Sequence, residues 1–314
     1  MELVKPRPLL PGDRIGIVST SSPVTIGELD WLAARLTDRG YAVRVADGVL
    51  DRDGYLAGSA ERRAAGVRQM FADPEVALVM PASGGTGAGH LVDLLDYTLI
   101  RAHPKLFTGF SNPSVLNNSI LAAAGLPSVH GVTGFQFFGW PTADEPTESA
   151  FWRMVSWPIA GLEVTGADWR VYRTAGPAVS GPVVGGNLWE LVALAGTRWM
   201  PSTSGAIVLV ESVDTTFEEV DRLLTQLRLA GVFQGIAALV VGAPTDWPTD
   251  EAPDESADEL VLRCVRGQFP VITGVEFGHQ QRKIPFPVGC RVEFDLSGQW
   301  PVLRYLEDLV KPWY

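Results

Sequence analysis

The sequence predicts an α/β fold in two domains, the first built on a mostly parallel sheet, and two observations carry that prediction. Short runs of Val, Ile, Leu and Ala recur along the chain, and the early ones are each followed by apolar residues at helical spacing. Parallel strands need long crossovers, usually helices, so strand-then-helix alternation is the pattern of a parallel sheet covered on both faces. The second observation is a change of character between about residues 139 and 182. There Pro141, Pro146, Pro158 and Pro182 punctuate a segment that also holds Trp140, Trp152, Trp157 and Trp169. We therefore expect one domain over residues 1–165, a linker over 166–180 and a second domain over 181–314.

Taken in order, residues 14–19 read as a buried strand, and Ser22-Pro23 as the turn after it. A helix is expected from about residue 26 to 39, with Trp31, Leu32 and Leu36 on one face and Gly40 at its end. Residues 41–45 form the next strand, 60–71 the next helix and 76–80 a third strand. The glycines of 84–89 follow, then a helix around 91–95. Leu106 and Phe107 close a fourth strand, and Val115, Leu116, Ile120 and Leu121 give a helix stopped by Gly125. After a helix near 148–155, strand and helix resume at 181–187 and 188–194, and 206–211 is a clear strand. Thr215 and Thr216, each followed three residues later by Glu218 and Glu219, offer a capping box for a helix reaching Ala230. Residues 237–242 are a strand, 249–258 an exposed acidic stretch, and two short strands finish the chain.

Composition removes several classes of function. A net charge of −11 without a local Lys/Arg cluster opposes the basic footprint that nucleic-acid binding needs. No apolar run reaches the roughly 18 residues of a membrane span, and no apolar core of signal-peptide length opens the chain. The two cysteines, Cys264 and Cys290, form neither a disulfide framework nor a metal-type pair, so a reduced, cytoplasmic setting is expected. The four histidines are scattered, and no metal site or cofactor is expected.

Chemistry is concentrated at strand ends, where α/β sheets place their sites. Ser111, in Gly109-Phe110-Ser111-Asn112-Pro113, sits between a strand and a helix. That turn exposes a hydroxyl, and the helix N-terminus behind it favours developing negative charge. A serine there is either a nucleophile or a helix cap followed by a first-turn proline. The cluster Ser83-Gly84-Gly85-Thr86-Gly87-Ala88-Gly89 also follows a strand, but its spacing misses the dinucleotide fingerprint and no Gly-Lys-Ser/Thr follows. What it offers is exposed backbone N–H groups, either for an oxyanion or for an ordinary tight turn. Glu211 ends an apolar strand, and His279 lies in a loop between two short strands. With Ser111 they supply a nucleophile, a base and a carboxylate to orient the base.

The combination resembles the serine peptidase family of murein LD-carboxypeptidases and microcin C immunity peptidases. It rests on Pro11-Gly12-Asp13, Ser83-Gly84-Gly85, Gly109-Phe110-Ser111, His130-Gly131, Gly185-Gly186-Asn187-Leu188, Val210-Glu211 and Gly278-His279 with Pro287-Val288-Gly289, in that order across nearly the whole chain. The resemblance implies a Ser111–Glu211–His279 triad and an oxyanion hole, which we place at the backbone N–H groups of Gly85 and Asn112. It implies a flavodoxin-like N-terminal α/β domain, a β-rich C-terminal domain, an active site in the cleft between them, and a homodimer. Substrates would be a murein tetrapeptide or a peptidyl or aminoacyl nucleotide, contacted by Ser83, Gly84, Trp140 and Trp152; these tryptophans otherwise pack an interface. Two positions depart from the pattern: Asn112 stands where aspartate is usual, and Ser83 where the murein enzymes often carry arginine. The first departure keeps a second class open, a non-catalytic binding protein on the same scaffold.

Overall fold

The computed structural model describes residues 2–134, 144–174, 176–245, 247 and 254–312. Trp140, residues 141–143 of the proline-rich loop and 249–253 of the acidic stretch lie outside them.

The first half follows the expected order closely. Strand β1 (Arg14–Val18) leads to α1 (Ile26–Asp38), where Thr25 and Glu28 close a capping box and Leu29, Leu32 and Leu36 are buried along one face. Then come β2 (Ala42–Val45), α2 (Ala60–Ala72) and β3 (Val76–Pro81), the last buried at every residue. The helix expected around 91–95 is instead a single 3-10 turn at Ala88–Leu91, because Gly87 enters with φ 105° and no side chain caps it. The true helix begins later, as α3 (Tyr97–Ala102), capped by Asp96. Strand β4 (Leu106–Gly109), helix α4 (Ser114–Ala124) and β5 (Ser128–His130) complete this half. Gly125, with φ 65°, ends α4 in the left-handed conformation that glycine adopts without strain.

Helix α5 (Glu145–Ser156) is capped by Asp144. The strands β6 (Glu163–Thr165) and β7 (Arg170–Tyr172) and the start of β8 (Ala178–Asn187) occupy the segment around 166–180. Next come α6 (Leu188–Leu194), β9 (Ile207–Glu211), α7 (Phe217–Leu229) and β10 (Ala238–Gly242). Of the two capping boxes offered before α7, Thr216 with Glu219 forms, while the Thr215 hydroxyl donates to the Val213 carbonyl instead. Helix α8 (Ala257–Val265) starts inside the acidic stretch, with Ser256 and Glu259 as its capping box. Four strands follow where two were expected: β11 (Val271–Val275), β12 (Phe286–Val288), β13 (Arg291–Asp295) and β14 (Val302–Tyr305). The shortest, β12, has only three residues, too few for periodicity to reveal.

One sheet joins both halves in the order β2-β1-β3-β4-β5-β12-β8-β9-β10-β11-β7, with β13, β14 and β6 branching from β8. Strands β2, β1, β3, β4 and β5 pair in parallel, as do β8 to β11. The link is β12, antiparallel to β5 with Phe286 opposite His130, and paired in parallel with β8 on its other side. A single apolar cluster likewise spans the halves, from Ile15 and Leu78 to Ile207, Phe286 and Phe294, and a second packs α6, α7 and α8 on the later strands. Trp169, in the segment expected as linker, is among the largest fully buried side chains. Among the described residues no helix is long and apolar enough to cross a membrane.

Candidate active site

Ser111 lies two residues beyond β4, and its backbone has φ 59°. Left-handed geometry is uncommon for a residue with a Cβ and costs about 1 kcal/mol or more, so the surroundings must impose it. They do so from both sides. Behind the turn, Asn117 on α4 donates to the carbonyls of Gly109 and Val129. Asn118, one residue on, exchanges two hydrogen bonds with Gly185 of β8, at 2.9 and 3.0 Å. The helix that carries the serine turn is thus tied to the second half of the chain by a neutral, fully paired amide. The Ser111 hydroxyl forms no hydrogen bond among the described residues.

Glu211, the last residue of β9, is buried and accepts from two donors. Asn187 Nδ2, at the end of β8, donates to one carboxylate oxygen at 3.1 Å; His279 Nδ1 lies 2.7 Å from the other. Burial pushes the Glu211 carboxyl up, but the hydrogen bond and charge of His279, with His130 and the Asn187 amide, outweigh it and hold the pKa below the usual value. A carboxylate kept ionised against His279 Nδ1 directs the proton there and leaves Nε2 as the basic nitrogen. The His279 ring rests on Phe110, the residue before Ser111, with ring centres 4.4 Å apart. Phe110 therefore brings the base to the serine turn.

The approach of the His279 loop depends on Gly278. Its φ is 90°, and a Cβ there would fall 2.5 Å from the Glu211 carboxylate oxygen. Gly278→Ala is expected to displace His279 and lower kcat/KM at least tenfold. Gly27→Ala, on α1 with open space around it, should leave activity unchanged and raise the melting temperature slightly. Steady-state kinetics and thermal melts of the pair check this.

Three groups that sequence reasoning did not assign also face the site. His130, fully buried at the end of β5, has neither ring nitrogen hydrogen-bonded among the described residues, and burial pushes its pKa down to about 4, against the opposing pull of Glu211. It stays neutral. Lys283 places its ammonium 4.2 Å from the centre of the Phe110 ring, and burial lowers its pKa to about 8. Glu190, in the first turn of α6, accepts from Asn112 Nδ2 at 2.7 Å, and burial raises it to about 7. His130 belongs to one of the motifs that carry the resemblance but is given no role there, and Lys283 and Glu190 have no sequence signal, since their neighbours come from other strands and helices. The Asn112 amide can donate to Glu190, whereas an aspartate at 112 would set a second carboxyl group against it.

Because Glu190 is raised in the folded protein, its neutral form favours folding. That contribution is complete below the unfolded carboxyl pKa and is lost as pH rises through about 7, roughly 3 kcal/mol in all. Glu190→Gln should remove this slope, so that melting temperatures of variant and parent diverge as pH rises from about 4.5 to 7.

The glycine loop reaches the serine turn through Asn112, whose Oδ1 accepts from the Ala88 N–H at 2.8 Å. The loop is held from behind by Arg63, a buried arginine on α2 that donates to the carbonyls of Gly58, Thr20 and Gly87. Gly84 accepts from the Ser22 N–H, and Gly85, with φ 106°, packs so tightly on Ser22 that a Cβ would lie 2.0 Å from its hydroxyl. The N–H groups of Gly85 and Asn112 make no hydrogen bond among the described residues. Ser83 is half-buried between β3 and this loop. Trp152 is placed elsewhere: on α5, stacked on Tyr41 with ring centres 5.1 Å apart and under Arg39, it lines a cavity of about 710 Å³ that includes no triad residue.

A base oriented by a buried carboxylate, seated on the residue before a strained serine, is the equipment of a serine hydrolase on an α/β scaffold. The LD-carboxypeptidase N-terminal domain matches residues 15–131, and the LD-carboxypeptidase C-terminal domain matches 180–294. The chain belongs to this family of serine peptidases. It is 27% identical over 305 residues to a probable murein peptide carboxypeptidase of Bacillus subtilis, covering 96% of this chain and 94% of that protein. A muramoyltetrapeptide carboxypeptidase from Oxalobacter formigenes shares the fold at a TM-score of 0.83 and 28% identity, over 93% of this chain and 98% of that one. The microcin C7 self-immunity protein MccF (from Escherichia coli), in complex with aspartyl sulfamoyl adenosine, has a TM-score of 0.89 at 24% identity, over 98% and 100% of the chains.

Proposed function

We propose that this protein is a serine carboxypeptidase of the LD type that hydrolyses the amide joining a diaminopimelate-like residue to a terminal D-alanine in a murein tetrapeptide. The observation that supports it most is the buried Glu211–His279 pair seated on Phe110, next to the strained Ser111. Ser111 Oγ attacks the scissile carbonyl while His279 Nε2 takes its proton. The N–H groups of Gly85 and Asn112 stabilise the tetrahedral oxyanion, worth about 3 kcal/mol each in comparable sites. His279 then protonates the departing amine, and water, deprotonated by the same imidazole, releases the acyl group from Ser111. Glu211 stays ionised throughout and holds the imidazolium. The reading carries with it a cytoplasmic homodimer acting in peptidoglycan recycling.

A second substrate class, a peptidyl or aminoacyl nucleotide, follows from the likeness to MccF. Mass-spectrometric turnover of a murein tetrapeptide and an aminoacyl sulfamoyl adenosine, side by side, separates the two. Release of D-alanine supports wall recycling, and release of the amino acid from the adenosine compound supports detoxification. If neither is cleaved, the hydrolase reading gives way to a binding protein.

A further inference from the structure

Resting on that reading, we infer that Lys283 is the residue that recognises the leaving group, binding an oxyanion that the substrate carries close to the scissile nitrogen. The ammonium and the His279 ring share one platform, the Phe110 ring, at 4.2 and 4.4 Å from its centre. On the proposed mechanism His279 hands its proton to the departing nitrogen, so a group bonded to that nitrogen is delivered to the ring that Lys283 shares. The ammonium is half-buried, yet it makes no ion pair or hydrogen bond among the described residues. This is unusual in a chain with 36 acidic residues. Of the other lysines, Lys5 reaches Glu307 and the Asp308 carbonyl, and Lys105 reaches the carbonyls of Asp73 and Val76. Lys311 is exposed.

Among the described residues this desolvated cation is met by a π face and, without an ion pair, by the longer-range pull of the Glu211 carboxylate, so its strongest interaction, a charge-assisted bond to an anion, is still unspent. The backbone around it is fixed, because the Lys283 N–H donates to the Thr147 hydroxyl on α5 at 2.8 Å. Both candidate substrates present such an anion in the same place. The α-carboxylate of a terminal amino acid and the sulfamoyl or phosphoryl oxygens of a nucleotide conjugate each lie within about three bonds of the scissile nitrogen. Lys283 thus explains how one site could require a free C-terminus, since an internal peptide bond carries no charge at this point.

The test uses binding, so that it does not depend on turnover. Full-length Ser111→Ala protein, with Lys283 intact or changed to Met or Arg, is titrated with a murein tetrapeptide, the same peptide ending in D-alaninamide, and an aminoacyl sulfamoyl adenosine. The free acid should bind about 100-fold more tightly than the amide. That contrast should collapse in Lys283→Met and persist in Lys283→Arg, with both variants melting like the parent. Loss of affinity in Lys283→Met for the sulfamoyl compound alone supports the assignment and identifies the anion as the nucleotide linker. Unchanged affinities for all three ligands in Lys283→Met overturn it. An intact acid-over-amide contrast without turnover by the Ser111 protein sinks the hydrolase reading and leaves Lys283 standing.

Discussion

Ser111→Ala is expected to reduce turnover by about 10⁵-fold, with no loss of stability. Removing a serine nucleophile leaves only the catalysis that oxyanion donors and substrate positioning provide by themselves. The stability half follows from the backbone: alanine has the same Cβ, so the strain at φ 59° persists, and the hydroxyl removed makes no hydrogen bond among the described residues. Ser111→Gly should be equally inactive yet melt at a higher temperature, because glycine adopts this conformation without strain. Turnover within tenfold of the parent in either variant would dismiss Ser111 as the nucleophile. Failure of the glycine variant to gain stability would show instead that the turn is not under strain.

The second large effect belongs to Glu211→Gln, for which kcat should fall about 10⁴-fold with KM nearly unchanged. The shape is conserved, so the loss comes from proton placement. Asn187 Nδ2 donates to one oxygen of Glu211, which obliges a glutamine to turn its own oxygen that way. Its NH₂ must then face His279, where Nδ1 now sits opposite a donor and has to accept. The proton moves to Nε2, the nitrogen that should take the proton from Ser111. Asn187→Ala in the same background frees the glutamine to flip and should recover part of the lost rate. A Glu211→Gln enzyme with more than a tenth of the parental kcat would show that the carboxylate does not set the tautomer.

The long, regular elements were legible because their signals are local. The capping box at Thr216 and the glycine stop at Gly125 mark helices whatever surrounds them. Ser111, Glu211 and His279 could be singled out as residue types at strand ends and in a loop, but their convergence needed the fold. What could not be read were side chains whose role arises only from neighbours distant in the chain. Glu190 looks like an ordinary first-turn acid until Asn112 arrives from 78 positions away. Lys283 looks like half of an Arg-Lys pair in a polar loop until Phe110 is beneath it. Short strands failed for the opposite reason: three residues such as those of β12 are defined by their partners, not by their own pattern.

The insertion of β12 between β5 and β8 has a consequence for biosynthesis. While the chain is being made, the N-terminal half can assemble β1 to β5 long before residue 286 emerges, and the outer edge of β5 then has no partner. Such an edge pairs readily with other chains, so nascent or truncated copies are the aggregation-prone form of this protein. The same delay means that the hydrolase cannot switch on piecemeal. His279 and the strand that closes the sheet both emerge long after Ser111, so under the proposed mechanism the serine waits without its base.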